Sequence, residues 1–194
     1  MTHPIDILPD QASTWVQRWS HLAKPGARML DIACGRGRHM AWFAGRGLQV
    51  TGIDRSAEAL TEASRYGQVV QADLETQAWP LMDSTAPQRF DVVVVTNYLW
   101  RALFASILHS LEPGGLLLYE TFARGNERFG RPARPEFLLQ PGELLSLCHG
   151  LQIVAYEHGL LAQPARCVQR VAAVAPQAPA TTEGEALNEP LWLE

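Results

Sequence analysis

The order of apolar segments in the sequence predicts an α/β domain built on a doubly wound sheet. Seven short apolar runs read as strands, and the first five alternate with helical or turn segments, as in a parallel sheet. Residues 90–95 are the strongest run, because four consecutive valines are typical of a parallel strand buried on both faces. The last two runs, 151–157 and 167–174, have no helix between them. We therefore expect a mostly parallel seven-stranded sheet with helices on both faces and an antiparallel edge.

The helices are predicted from apolar spacing and from capping residues. Trp15 and Trp19 lie about one helical turn apart and predict a leading helix over residues 11–23. Ser56 is a suitable N-cap for a helix that begins at Ala57. Further helices are predicted over residues 40–44, over 99–111 and from 141 onward, and the segment 123–135 reads as an irregular loop.

Length and composition fit one globular domain. The chain has 194 residues, of which 47% are hydrophobic and 19% are charged, enough for a single core. We expect an irregular N-terminus over residues 1–10, a single domain over 11–175 and a disordered tail over 176–194. The sequence leaves open whether Leu191-Trp192-Leu193 in that tail docks on the domain.

Charge and cysteine content narrow the function classes. The formal net charge of −4 argues against a broad nucleic-acid surface, although a local basic patch stays compatible with it. Cys34, Cys148 and Cys167 show neither disulfide-framework nor metal-site spacing, and no apolar run resembles a membrane span or a signal peptide. We expect a cytoplasmic protein with reduced cysteines, no metal and no membrane contact. The oligomeric state is left open.

One stretch near the start of the chain, a strand followed by a glycine turn and a helix, organises the rest. The strand contains Asp31, and Gly35 and Gly37 follow, in the order by which α/β domains build a nucleotide-type pocket. The second strand ends at Asp54, where a carboxylate can accept hydrogen bonds from both hydroxyls of a ribose. A dinucleotide site would need a third glycine, and Met40 occupies that position. This substitution argues against a nicotinamide-dependent oxidoreductase.

The stretch resembles the first motif of the class I S-adenosylmethionine-dependent methyltransferases, whose ligand carries no phosphate and needs no third glycine. The resemblance covers roughly residues 13–175 and implies a Rossmann-like methyltransferase fold. A narrower resemblance links the chain to the small bacterial methyltransferases of the tellurite-resistance type and their thiopurine-methyltransferase-like relatives. The first motif reads Leu30-Asp31-x-x-Cys34-Gly35-x-Gly37, and the narrower resemblance rests on Glu120-Thr121-Phe122, on Phe137-Leu138-Leu139-x-Pro141-Gly142-Glu143-Leu144 and on Tyr156-Glu157.

The resemblance implies that S-adenosylmethionine is the cofactor and that its site follows the tips of the first four strands. Asp54 would hold the ribose. Asp73, just past the third strand, is the candidate for the exocyclic amine of adenine. The expected cofactor ligands are Asp31, Cys34, Gly35, Gly37, Asp54, Arg55, Asp73, Leu74, Thr96 and Asn97.

The expected methyl acceptor is a small molecule with a soft or anionic nucleophilic atom, held under the arginine-rich loop at 123–135. Arginine suits the recognition of carboxylate or phosphate groups. An amine or hydroxyl acceptor would also need a general base, for which Tyr98, Glu120 and His39 are candidates. The expected substrate ligands are Tyr98, Arg101, Phe122, Arg124, Arg128 and Arg134.

Three alternatives stay open at this point. The arginine-rich loop could contact RNA or a protein, or it could be an ordinary solvated face. The segment Thr96-Asn97-Tyr98-Leu99 differs from the Asn-Pro-Pro-Tyr sequence of amino-methylating nucleic-acid enzymes, which counts against adenine or cytosine amino groups as acceptors. A non-catalytic module that only binds the cofactor would keep Asp54 but would need no acceptor pocket.

Overall fold

A computed structural model describes residues 11–83 and 85–177 of the chain. Within this part, seven strands form one sheet in the order β3-β2-β1-β6-β7-β9-β8, and β4 pairs with β5 in a small separate hairpin. The predicted doubly wound, mostly parallel sheet with an antiparallel edge is confirmed. The strands are β1 (Arg28–Ile32), β2 (Gln49–Asp54), β3 (Gln68–Gln71), β4 (Met82–Asp83), β5 (Ala86–Pro87), β6 (Phe90–Thr96), β7 (Leu111–Phe122), β8 (Gln152–Ala162) and β9 (Ala165–Val174).

Five short α-helices and four single turns of 3₁₀-helix accompany the sheet in the described residues. The helices are α1 (Thr14–Trp19), α2 (Arg38–Ala44), α3 (Ala57–Ala63), α4 (Phe104–His109) and α5 (Glu143–Leu147). The 3₁₀ turns are Ser20–Leu22, Arg101–Leu103, Asn126–Arg128 and Pro135–Phe137.

The structure corrects several predicted bounds. The leading helix begins at Thr14, because the Ser13 hydroxyl accepts a hydrogen bond from the Trp15 N–H and caps it there. The helix expected over 99–111 is reduced to a 3₁₀ turn and α4, and residues 112–115 belong to β7 instead of a turn. The loop expected from Trp79 to Gln88 contains the β4–β5 hairpin. The expected irregular N-terminus over 1–10 lies outside the described residues, as do residues 178–194 of the disordered tail expected over 176–194, with Leu191-Trp192-Leu193.

Two apolar layers cover the two faces of the sheet. On one face α1, α2 and α3 bury Trp15, Met40 and Leu60 against β1, β6 and β7. On the other face α4 and α5 bury Phe104 and Leu144. The valine run of β6 contributes to both layers, which is why it lacks polar residues between Val92 and Val95.

The parallel strands all end at one edge of the sheet, and the polar residues of the chain's motifs gather there. Residue i on a strand and residue i+2 share a face, so alternate polar residues on neighbouring strands form rows. Paired registers place Thr96 beside Glu120, and Glu120 beside Arg170. This edge is the candidate site.

Candidate active site

Residues in left-handed backbone conformations shape the turn after β1. Ala33, Gly35 and Gly37 have φ angles of 55°, 55° and 81°. A Cβ on Gly35 would meet nothing within 4 Å, so conformation alone favours glycine there. A Cβ on Gly37 would stand 2.9 Å from the Cβ of Ala63, so Gly37 also lets the start of α2 pack against α3. The two glycines therefore have different roles.

Asp54 and Asp73 are held by backbone donors at the ends of β2 and β3. Asp54 Oδ2 accepts a hydrogen bond from the Gly35 N–H at 2.9 Å, and its Oδ1 accepts one from the Ser56 N–H at 2.8 Å. Asp73 Oδ1 accepts one from the Glu75 N–H at 3.0 Å. Each carboxylate keeps lone pairs for a ligand, because two oxygens accept about four hydrogen bonds.

The two aspartates line a single cavity, which we call the β2–β3 cavity. Arg55 and Leu74, two further predicted cofactor ligands, lie in the same wall. Tyr98, which the sequence placed with the acceptor, also lines it. The lining residues are Ala33, Asp54, Arg55, Ala72, Asp73, Leu74, Glu75 and Tyr98.

The Cys34 thiol is buried and does not line the β2–β3 cavity. The side chain is buried, and a Cβ added at Gly52 would stand 2.7 Å from Cys34 Sγ and 2.4 Å from Met40 Sδ. Burial, followed by the charges of Asp31 and Asp54, raises the pKa of the Cys34 thiol. The thiol therefore packs between β2 and α2 as an apolar group.

A row of polar side chains crosses four strands on the face that α1 covers. We call Thr96, Glu120, Arg170 and Glu157 the polar row, since the registers place them side by side on β6, β7, β9 and β8. Glu120 is fully buried. Its oxygens accept hydrogen bonds from the Ser13 hydroxyl at 3.2 Å, from Arg166 at 3.2 Å and from Arg170 at 3.3 Å.

His39 and Asp31 form a second buried pair next to this row. The Ser13 N–H donates to His39 Nε2 at 3.2 Å, so Nε2 is unprotonated and the ring proton lies on Nδ1. His39 Nδ1 stands 3.7 Å from Asp31 Oδ2. Asp31 is 1% exposed, and its Oδ2 has no hydrogen-bond partner among the described residues.

Arg38 and Arg166 are site residues that the sequence reasoning missed. Within the described part of the chain, Arg38 donates to two neutral oxygens, Gln11 O at 3.3 Å and Thr96 Oγ1 at 3.4 Å. Burial lowers the pKa of Arg38, against the opposing charges of Asp31 and Glu120, and Arg166 lowers it further. The Arg166 Nε is buried without a partner among residues 11–83 and 85–177. The available signal was that Arg166 and Arg170 stand four residues apart in a final strand that is otherwise mostly apolar.

Most of the predicted substrate arginines lie elsewhere. Arg101 forms a clamp: its guanidinium donates to the Glu143 carboxylate at 2.6 and 3.0 Å and to the carbonyls of Glu136 and Leu138. These contacts give Arg101 a structural role, and its predicted role in substrate binding stays a prediction. Arg124, Arg128 and Arg134 are exposed in the loop that follows β7.

Asn126 holds that loop in place. It is buried, its Nδ2 donates to Pro132 O at 3.0 Å, and its Oδ1 accepts from the Cys167 N–H at 3.2 Å. The loop expected to be irregular is therefore fixed to the start of β9. Phe122, the other predicted acceptor contact, pairs with Val168 on the adjacent strand.

Among the described residues no group of three or more His, Cys, Asp or Glu side chains could hold a metal ion. None of the helices in residues 11–83 and 85–177 has the length and apolar content needed to cross a membrane.

Part of the chain is similar to known methyltransferases. A family model described as "Methyltransferase domain" matches residues 29–115. The ubiquinone biosynthesis O-methyltransferase of Burkholderia multivorans is 31% identical over 128 residues, which cover 62% of this chain and 54% of that protein. The match over residues 29–115 supports the predicted resemblance to the class I methyltransferases. The chain spans about half the length of the curated relatives that it matches.

Solved structures share the fold at low sequence identity. TehB from Haemophilus influenzae superimposes with a TM-score of 0.69 at 16% identity, covering 84% of this chain and 62% of TehB. An S-adenosylmethionine-dependent methyltransferase from Methanosarcina mazei gives a TM-score of 0.65 at 16% identity, covering 87% of this chain and 100% of that one. These likenesses confirm the predicted Rossmann-like methyltransferase fold.

The residues present fit the predicted cofactor, S-adenosylmethionine. Asp54 and Asp73 offer carboxylate acceptors in one cavity, and the unpartnered Asp31 Oδ2 lies at the end of β1. The Tyr98 hydroxyl, in the same region, also has no hydrogen-bond partner among the described residues. The assignment of individual cofactor ligands stays a prediction.

Proposed function

We propose that the protein transfers a methyl group from S-adenosylmethionine to a small-molecule acceptor that presents a soft or anionic nucleophilic atom. The observation that carries this proposal is the pair of half-buried arginines, Arg38 and Arg166, beside Glu120 at the tips of β6 and β7. Both guanidinium groups have N–H donors to spare for a ligand.

The cofactor half would be held by carboxylates. Asp54 would accept hydrogen bonds from the ribose hydroxyls, Asp73 from the adenine amine, and Asp31 from the ammonium group of the methionine part. When bound, S-adenosylmethionine supplies an electrophilic methyl group on a positively charged sulfur. The protein's contribution is to align the acceptor with that group and to exclude water.

The contacts of the base candidates favour an acceptor that needs no general base. Glu120 already accepts three hydrogen bonds, two of them from arginines. His39 Nε2 accepts the Ser13 N–H, and its Nδ1 faces Asp31. Tyr98 lies in the β2–β3 cavity, where burial, then the charges of Glu75 and Asp73, raises its pKa to about 12. A thiolate or another anionic atom could react without proton transfer.

Exposed arginines of the 123–135 loop would form an outer contact for a charged acceptor in this proposal. Arg124, Arg128 and Arg134 have no buried position, so their contribution should be smaller than that of Arg166. An RNA acceptor is the competing function. It would use the same loop, but the chain's net charge of −4 gives it little long-range attraction for RNA.

A second candidate acceptor atom is the oxygen of a phenol, because the Burkholderia multivorans relative is an O-methyltransferase by name. A phenol would require a base or a depressed pKa. Arg38 and Arg166 could lower the pKa of a phenol bound between them.

Methyl-labelled S-adenosylmethionine, added with the protein to a cell extract, tests the proposal. We expect the label in a small product, identified by mass spectrometry, and we expect the Asp54→Ala variant to transfer far less. Label in RNA or protein would contradict the small-molecule acceptor. Cofactor binding without labelling of any product would favour a non-catalytic module.

A further inference from the structure

We propose that a groove between β8 and β9 binds the apolar body of the methyl acceptor, while the arginines beside Glu120 face the acceptor's anionic atom. This inference rests on the proposed transfer to a small molecule. It goes further by naming the substrate class: an organic molecule with an apolar part of several carbon atoms, and not a small inorganic anion.

The groove lies on the sheet face that α1 covers. Its lining from β9 consists of Val168 and Arg170, which are two residues apart and therefore share a face. Ala172, the next residue of this series, is buried in the layer that contains α1. Gly159 and Glu157, which pair with Val168 and Arg170, line the groove from β8. The groove and the polar row therefore share one face of the sheet.

The groove continues the polar row. Glu157 and Arg170 belong to both, and Arg170 forms ion pairs with Glu120 on one side and with Glu157 on the other. Neighbouring strands lie about 4.8 Å apart, so the middle of the β8–β9 pair is about 7 Å from β7. The tip of β7 and the groove therefore lie within the length of one small organic molecule.

Charge balance in the groove suits an uncharged group. Arg170 and Glu157 neutralise each other, with the Arg170 Nε–H donating to Glu157 Oε2 at 2.9 Å. The Arg170 guanidinium also lies over the Trp15 ring, 4.8 Å from its centroid. Val168 and Leu161 add apolar side chains to the lining. An apolar group bound there would leave water without separating a charge from its partner.

Gly159 leaves the space that an apolar body needs. It is exposed, and a Cβ added there would meet nothing within 4 Å. Glycine is unfavourable inside a strand and often marks a bulge or the close approach of another group. The register from Ala155 to Ala162 runs without a shift, so no bulge accounts for this glycine. The groove has a volume of about 390 Å³, within the range of small-molecule sites.

Calorimetry with butanoate and hexanoate, added to the protein saturated with S-adenosylhomocysteine, tests the proposal. The carboxylate stands in for the anionic atom of the acceptor, and the two probes differ by two CH₂ groups. We expect hexanoate to bind about tenfold more tightly, because each CH₂ contributes about fourfold at full burial. Gly159→Leu fills the groove and should reduce this ratio to less than about twofold. Its affinity for S-adenosylhomocysteine should equal that of the wild type.

Gln152→Leu is the matched control, because it adds the same side chain at an exposed position of β8 outside the groove. This variant should keep the wild-type ratio of affinities. Equal affinities of the wild type for the two probes, or a preserved ratio in Gly159→Leu, would overturn the proposal.

Competition links the groove to the acceptor. Hexanoate should inhibit methyl transfer competitively against the small acceptor found by labelling, and binding without competition would overturn the groove's role. A wild-type dimer that dissociates in Gly159→Leu, measured by sedimentation, would assign the groove to a second copy and would also overturn it. Failure of the wild type to bind S-adenosylhomocysteine, or label only in RNA or protein, would instead contradict the proposed function.

Discussion

The two halves of the candidate active site are built from contacts of different range. In the cofactor half, the Gly35 N–H meets Asp54 across 19 residues of sequence. In the acceptor half, Ser13 meets Glu120 across 107 residues and Arg170 meets Glu120 across 50. The first half is a local arrangement of successive strands and turns. The second half exists only when both ends of the domain have come together.

The two halves also differ in what their carboxylates bind. Asp54 accepts from backbone N–H groups at the edge of a cavity. Glu120 is enclosed with two arginines and a serine hydroxyl. Loss of a charge should therefore weaken ligand binding in the first half and destabilise the fold in the second. Four experiments test this difference.

Glu120→Gln should have the largest effect, because it removes the buried charge that faces both Arg166 and Arg170. Arg170 keeps its ion pair with Glu157, whereas Arg166 has no second carboxylate partner among the described residues. We expect a loss of about 3–5 kcal/mol in the free energy of unfolding, the scale for breaking a buried ion pair. Urea denaturation followed by tryptophan fluorescence would measure it. Glu157→Gln is the control, since Glu157 is 42% exposed and should cost less than about 1 kcal/mol. Equal losses of unfolding free energy in both variants would contradict the distinction between the buried charge of Glu120 and the exposed charge of Glu157.

Asp54→Ala should weaken the binding of S-adenosylhomocysteine by about 1.5–3 kcal/mol, the scale for hydrogen bonds to a charged group. Calorimetry would measure the change, and circular dichroism would check that the fold persists. NAD should not bind either protein. Unchanged affinity in the variant would place the ribose elsewhere.

Arg166→Ala should raise the KM for the acceptor by about one to two powers of ten, or about 1.4–2.8 kcal/mol, without changing cofactor affinity. Steady-state kinetics on the product identified by labelling would test this. Arg128→Ala is the matched variant in the exposed loop and should change the KM less than threefold (about 0.65 kcal/mol). A larger rise in KM for Arg128→Ala than for Arg166→Ala would indicate that the acceptor binds at the 123–135 loop and not at the polar row.

Glu143→Gln should have the smallest effect and should depend on pH. Burial raises the pKa of Glu143, but hydrogen bonds from Arg101 and from the Gln140 N–H outweigh it, and the pKa lies below the ordinary value of 4.5. The stabilisation by this clamp is therefore present above pH 4.5 and is lost as pH falls through the lower folded-state value. We expect the variant to lose about 1 kcal/mol at pH 7 and less at pH 3. An equal loss at both pH values, from urea denaturation, would contradict the sign of this shift.

The cofactor half was predictable from sequence because its signals are local. Strand ends, two glycines and Asp54 lie within thirty residues and imply a pocket through their order alone. The acceptor half was only partly predictable. Glu120 and Phe122 were placed correctly at the tip of β7, but the partners of Glu120 depend on the register between β7 and β9.

The arginines illustrate that limit. From the sequence alone, Arg128 and Arg166 are equally plausible ligands of an anion. The clustering of arginines in the 123–135 loop favoured Arg128. Burial distinguishes them in the structure: Arg166 is 18% exposed at its side chain and Arg128 lies on the surface.

The anchoring of α1 has a consequence for biosynthesis. The Trp15 indole N–H donates to Val171 O, 156 residues further along the chain. Ribosomes add about 5–20 residues per second, so about 8–30 s separate the synthesis of the two partners. During that interval Trp15 lacks the strand on which it packs, and the nascent N-terminal helix presents its tryptophans to water or to a chaperone. The polar row, which includes Arg170 on β9, is consequently completed only when synthesis of the domain nears its end.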